Sequence, residues 1–363
     1  MGLSDRLAAL GLSRPHVLVV PVPGWQALRI RGEDAVERSG AVLAVGPADA
    51  DVLLVAGPPG PGLQVALDRV WDQLPGPRAR ATLQGRGEID EQLFGGIDRL
   101  RNVARQRGEA AGRPPWAARP DEPSDAGDSG EMGEMDMAMP GGLMMAERAP
   151  DRDGLKLDVL ELPLGPVLRG WPAGLVIRTQ LQGDLIQQAR PELLDADQLP
   201  AGGAVPLSPV IRALDATARL LEVADWPHAA TQARRLRSDA AREPMHPQLA
   251  NRVLALRRRL ARSVALRWRG DGVGIVSGQA PQGTSGDVTA RVNRWLATAS
   301  EGLTADGPVD PPDPSAMSDL LDLTCRLIEG TELGAARLIV ASMDLRPGEA
   351  TDATGAAAVA GLR

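Results

Sequence analysis

The residues best spaced to do chemistry lie in Asp51–Pro75, DVLLVAGPPGPGLQVALDRVWDQLP: an apolar run, a glycine-rich turn and an amphipathic helical pattern. These are the parts of a phosphate cradle, because backbone N–H groups at a helix start and the helix dipole together favour an anion. The donors decide whether the cradle works. Pro58, Pro59 and Pro61 contribute no N–H. The turn lacks a Gly-Lys-Ser/Thr ending, and no acidic residue closes a second strand as a dinucleotide fingerprint requires. The expectation is a rigid strand-to-helix connection.

Metal and nucleophile chemistry finds little support. Cys325 is the single cysteine, so the chain cannot by itself build a disulfide framework, a cysteine-ligated cluster or a thiolate zinc site. Met132, Met135, Met137, Met139, Met144 and Met145 offer soft thioethers suited to Cu(I), but the Glu and Asp residues among them suit harder ions and no His or Cys lies nearby. That segment reads as a solvated linker able to lie on a partner surface. His16, His228 and His246 are scattered, and neither a Ser-His-Asp nor a His-Glu-x-x-His arrangement is visible. The arginine run Arg257, Arg258, Arg259, Arg262, Arg267 and Arg269 reads first as a solvated basic face, with docking to an acidic partner or a membrane-side surface as the alternative. No catalytic, cofactor-binding or metal-ligating residue is assigned from the sequence, and no cofactor is expected.

The elements that would position such groups follow from the composition. The 363 residues are 43% hydrophobic, enough for two domains with real cores. A net charge of -7 argues against a general affinity for nucleic acid or for anionic lipid headgroups, although it leaves room for local basic faces. No apolar run approaches the ~20 residues of a membrane span, and the N-terminus lacks a signal peptide's apolar stretch, so the expected location is cytoplasmic. Tyr is absent and Phe94 and Lys156 stand alone of their kinds, while Arg, Ala, Gly and Pro abound, as in a GC-rich bacterial genome.

From His16 to about Leu83, the runs HVLVVPV, AVLAVG, DVLLVAG and RARATL alternate with helical patterns, which predicts an open parallel sheet covered on both faces. A helix from about Leu63 to Leu74 would bury Leu63, Ala66, Leu67, Val70, Trp71 and Leu74, and another from about Ile89 to Arg107 would close this domain, residues 1–108. Residues 109–152, rich in Gly, Pro and acids, read as a disordered, flexible linker. The third segment, 153–363, opens with two β-like runs, GLKLDVLELPLGP and GLVIRTQLQGDLIQQA. Helices are then expected from about Ser208 to Ala224, Trp226 to Arg242, Pro247 to Trp268, Val288 to Thr298 and Ser318 to Ile328, with Ser208 and Ser318 as N-caps. ARLIVASMDL is expected to return as a strand. This half is therefore predicted to be α+β, a helical bundle with a small sheet contributed by its start and end.

Several of these segments resemble a known family. ADADVLLVAGPPGPGLQVALDRVWDQLPGP is similar to the cluster-carrying small subunit of respiratory complex I and its [NiFe]-hydrogenase relatives, with Trp71-Asp72-Gln73-Leu74-Pro75 standing where that family has Tyr-Asp-Gln-Met-Pro. LGPVLRGWPAGLVIRTQLQGDLI resembles the opening of the companion large subunit, which in complex I lines the quinone site. SGDVTARVNRWLATAS, through Gly286-Asp287-Val288, is similar to its Gly-Asp-x-x-x-Arg segment, and Ser342-Met343-Asp344 with Gly348-Glu349 to its C-terminal motif. The chain thus resembles a fusion of the two, which implies a flavodoxin-like first domain and a large-subunit-like second.

The departures fall on the metal ligands. The family's first cysteine pair would fall near Pro23 to Trp25, the third cysteine near Arg86, and the last cysteine motif is missing. Gly165-Pro166 is followed by Val167-Leu168 where the family has histidine before proline, and Leu345 to Pro347 occupy the neighbourhood of the hydrogenase's last cysteine pair. The resemblance therefore implies a non-catalytic peripheral subunit, not an enzyme on its own, that assembles with the membrane subunits of a complex I-like NADH-quinone oxidoreductase assembly on the inner face of the membrane. One alternative is an oxidoreductase subunit that binds quinone or moves electrons with a borrowed cofactor. Another is a nucleotide-binding module.

Overall fold

The computed structural model describes residues 13–85, 89–113, 148–150, 156–195, 207–244, 248–278, 281, 283–302 and 315–348. The first half is built on four parallel strands, β1 (His16–Pro21), β2 (Val42–Leu43), β3 (Val52–Ala56) and β4 (Ala79–Leu83), in the order β2-β1-β3-β4. This is the order of a flavodoxin-like, doubly wound sheet. β3 is buried along its whole length. Its alternate residues point to opposite layers: Val52 and Leu54 pack with Leu28, Val36, Leu93 and Ile97, whereas Leu53 and Val55 pack with Leu63, Leu67, Val70 and Leu74. Each such side chain contributes about 1.5–3 kcal/mol of burial, so covering both faces explains the unbroken apolar run.

The helices of this half are α1 (Gln26–Arg38), α2 (Pro61–Gln73), α3 (Ile89–Arg101) and α4 (Val103–Ala111). α2 buries Leu63, Leu67 and Val70, and Leu74 caps it, while Ala66 and Trp71 stay half-exposed with Arg78 stacked 4.1 Å from the Trp71 ring. The helix expected to run from Ile89 to Arg107 is two helices, because the Asn102 side chain accepts from Arg105 N–H and starts α4 anew.

The second half begins with an antiparallel sheet, β5 (Arg148–Pro150), β6 (Lys156–Leu164), β7 (Leu175–Gln182) and β8 (Leu185–Leu193), in sequential order. β5 lies within the span expected to be linker, as does the end of α4. The rest of that segment, with its methionines, lies outside the described residues. The bundle follows: α5 (Pro209–Val223), α6 (Pro227–Arg242), α7 (Leu249–Ala261), α8 (Val264–Gly270), α9 (Val288–Glu301), α10 (Ser315–Ile328) and α11 (Leu333–Ser342).

Three expectations are corrected here. ARLIVASMDL is the helix α11 rather than a strand, so the small sheet comes from the start of this half alone. Pro247–Trp268 is two helices, broken where Ser263 accepts from Leu266 N–H. Ser318 lies inside α10, not at its cap, whereas Ser208 does cap α5 through Ile211 N–H. Among the described residues no helix is long and apolar enough to cross a membrane.

Candidate functional site between the two halves

The turn after β3 does hold an anion, and the chain supplies it. Asp195, just past the end of β8, accepts from Gly62 N–H through Oδ1 and from Leu63 N–H through Oδ2, each at 2.8 Å. A carboxylate thus sits where the helix dipole and free amides would favour a phosphate. Gly60 is needed for this approach, since a Cβ there would lie 2.4 Å from the Asp195 carboxyl carbon. A second close approach joins the halves nearby: Gly174, at φ 67°, presents its open side to Pro23, and a Cβ would sit 2.6 Å from the proline ring.

A backbone carbonyl of the second half joins this seam, and a buried arginine lies inside that half. Pro347 O accepts from both Gly24 N–H and the Gln26 side-chain amide at 3.0 Å. Arg291, five residues after Gly286, is fully buried and donates to Thr284 O, Gly274 O, Gly286 O and Ser342 Oγ. Asp287 caps α9 by accepting from Ala290 N–H and Gly272 N–H. Burial, opposed by Asp287 and helped by Arg294, pulls the Arg291 guanidinium down to about 10, still charged at neutral pH.

At the centre is a buried charge cluster that sequence reasoning did not find. Asp215 on α5 is 0% exposed and accepts from Arg29 on α1 through both oxygens at 2.7 Å, and from Arg237 on α6 at 2.6 Å. Arg219 and Arg346 stand at 3.3 and 3.7 Å. Glu33 pairs with Arg29 at 2.6 Å and with Arg237 at 2.9 Å. Arg234 reaches Glu222 within its own half and Glu37 across the seam, while Asp344, at φ 51°, binds Arg219 and Arg346. Burial pushes the Asp215 carboxyl up, but Arg29, Arg219, Arg237 and Arg346 outweigh it and hold it well below the usual carboxylate range. Glu33 is lowered in the same way, by Arg29 and Arg237 against burial. For Glu222 burial wins over Arg234, and its carboxyl is raised.

Beside this cluster opens a cavity of about 460 Å³, a volume suited to a small ligand. One wall is apolar: Val17, Val19, Val42 and Leu43 from the parallel sheet, then Pro166, Val167, Leu168 and Trp171 from the second half. The charge cluster lines it too, through Arg29, Glu33, Asp215, Arg219, Glu222 and Arg234. Gln26 also lines it, and its Oε1 is buried with no hydrogen-bond partner among the described residues.

The other sequence candidates lie elsewhere. His16 pairs with Asp49 at 2.8 Å, His228 lies in the first turn of α6, and His246 and Arg86 fall outside the described residues. Neither His16 nor His228 lines the cavity. Cys325 is buried on α10, and burial with Asp322 and Glu329 pushes its thiol up to about 12, leaving it a poor nucleophile. The arginine run is divided: Arg257 donates to Ser300, Arg259 stacks 5.2 Å over Trp226, and Arg269 donates to Ala224 O, whereas Arg258, Arg262 and Arg267 point outward. Among the described residues no group of three or more His, Cys, Asp and Glu side chains is placed to hold a metal ion. No family model matches the chain, and no curated protein matches it.

Proposed function

We propose that the chain is a non-catalytic peripheral-arm subunit of a complex I-like membrane assembly, a fusion that retains the fold and docking surfaces of the family it resembles without its metal chemistry. One observation carries this reading. The segment where the family would place its first cysteine pair, Pro23–Trp25, and the segment in the neighbourhood of the last hydrogenase pair, Leu345–Pro347, are both departures from the family pattern and lie in different halves. They meet directly, through Gly24 N–H and the Gln26 amide on Pro347 O. Backbone and a side-chain amide close the seam where ligands would otherwise face each other. The matched Gly286–Arg291 and Ser342–Asp344 segments are joined as well, by Arg291 on Ser342 Oγ. Affinity purification of the tagged chain from solubilised membranes is expected to bring down antiporter-like membrane subunits; recovery of a monomer from the soluble fraction alone would overturn the reading.

A second reading, an oxidoreductase subunit that binds quinone or moves electrons with a borrowed cofactor, draws its support from the cavity. A cavity lined by apolar side chains and by Gln26, whose Oε1 lacks a hydrogen-bond partner among the described residues, suits a ring bearing a hydroxyl donor. A stoichiometric visible chromophore, or iron and sulfide in the purified protein, would favour it over the first. The nucleotide-binding alternative has no comparable support, since two amides at the head of α2 are taken by Asp195; calorimetry with nucleotides is expected to give no heat of binding.

A further inference from the structure

We propose that the corner between α7 and α8 is a membrane-docking surface that inserts Trp268 and Val264 into the headgroup region of an anionic lipid leaflet. Trp268 is 84% exposed and Val264 69%, and the two stand four residues apart on one face of α8. Single exposed apolar side chains are ordinary, but an indole this bare leaves a large apolar area in water. On the same helix pair Arg258, Arg262, which ends α7, and Arg267 are exposed, and their guanidinium groups have no hydrogen bond or ion pair among the described residues. The neighbouring arginines 257, 259 and 269 are tethered to Ser300, Trp226 and Ala224. The helix pair therefore ties one set of guanidiniums to neighbouring groups and leaves the other set, like Trp268, exposed without a partner. Asp271, which ends α8, is exposed as well.

The choice of a lipid surface follows from this mixture. An acidic protein surface would satisfy the arginines but set Trp268 and Val264 against charge. The headgroup region takes both, since indoles concentrate there and guanidiniums reach anionic phosphates while their stems cover apolar surface. The overall charge of -7 opposes approach at long range, so binding must be local and steeply dependent on salt. The inference stands apart from the family reading, because no partner subunit enters its test.

The purified full-length chain is floated with phosphatidylcholine vesicles with and without phosphatidylglycerol. Binding is expected only with phosphatidylglycerol, and is expected to disappear at high salt. Each of Arg258→Gln, Arg262→Gln and Arg267→Gln is expected to weaken partitioning about five-fold, and the triple variant about a hundred-fold. Trp268→Ser should release the protein at salt concentrations the parent tolerates, with an unchanged melting curve since the side chain is exposed. Absence of binding at low salt, equal binding to both vesicles, or binding indifferent to Trp268→Ser and to the triple variant would each overturn the proposal. Capture of membrane subunits in lipid-free detergent is a separate readout, so either idea can fail alone.

Discussion

Two buried arginine sites divide the labour of holding this chain together, and they work by different physics. In the cluster at the seam, Arg29 and Arg237 are neutralised by carboxylates, Asp215 and Glu33, contributed by both halves. Inside the second half, Arg291 is equally buried but is surrounded by carbonyl oxygens and one hydroxyl. The first arrangement pairs full charges, and its pieces can separate only by exposing or stranding an ion. The second is a charge solvated by dipoles of its own half, with nothing at stake between domains. The seam is therefore specified by charge complementarity, and the interior by backbone geometry.

The largest effect should come from Asp215→Asn, which leaves Arg29, Arg219, Arg237 and Arg346 without their common counter-charge. A loss of about 3–5 kcal/mol is expected by urea denaturation, together with faster proteolysis between the halves. Arg291→Met should cost roughly 3 kcal/mol by stranding the carbonyls of Thr284, Gly274 and Gly286. It should not accelerate cleavage between the halves. If both variants loosen the seam alike, the distinction between the two sites fails.

The same cluster sets the acid limit of stability. The folded-state pKa values of Asp215 and Glu33 lie below their unfolded values of about 3.9 and 4.3, so the native state binds fewer protons there. Their contribution is fully present above those unfolded values and is lost as pH falls through the folded ones. Denaturation measured along a pH series is expected to be steep below about pH 4 in the parent, and distinctly shallower in Asp215→Asn.

How much of this was legible in the sequence depends on what buries each residue. The parallel sheet and α2 could be read because Leu53, Leu54, Leu63 and Leu67 bury themselves by being apolar. α1 was not singled out, because the buried side of QALRIRGEDAVER includes Gln26 and Arg29 beside Leu28, Ala35 and Val36. A polar residue buried by a partner nearly two hundred positions away leaves no local period. α11 reads as a strand for the opposite reason. Its residues face two cores, Leu338 and Ala341 the bundle and Ile339 and Val340 the sheet side, so the helix reads as one β-like run. Asp195 carries no signal either, being one of several acids in PELLDAD whose importance comes only from the amides of Gly62 and Leu63.

Asp195 lets the seam be probed away from its charged centre. Asp195→Ala removes a carboxylate from two helix-start amides and should cost about 1 kcal/mol, while Asp195→Asn, able to satisfy one of them, should cost less. The order of the two variants in thermal melts checks that the cap, rather than packing against Gly60, is what stabilises the contact.

The smallest effect, and the finest test of the comparison, is expected at Glu222. It belongs to the same cluster as Asp215, yet burial outweighs Arg234 and its folded-state pKa is raised, whereas Arg234 is itself raised because Glu37 supports it as well as Glu222. Between its unfolded value of about 4.3 and the raised folded value, the native state holds the extra proton. Glu222 therefore opposes stability as pH rises through that interval, the reverse of Asp215. Glu222→Gln keeps an acceptor for Arg234 and removes a poorly compensated charge, so its stability at neutral pH should stay within about 1 kcal/mol of the parent or exceed it. A loss as large as that of Asp215→Asn would mean that the cluster acts as one indivisible charged unit. A neutral result would place the strength of the seam in the Asp215–Arg29–Arg237 centre, with Glu222 at its margin against the cavity.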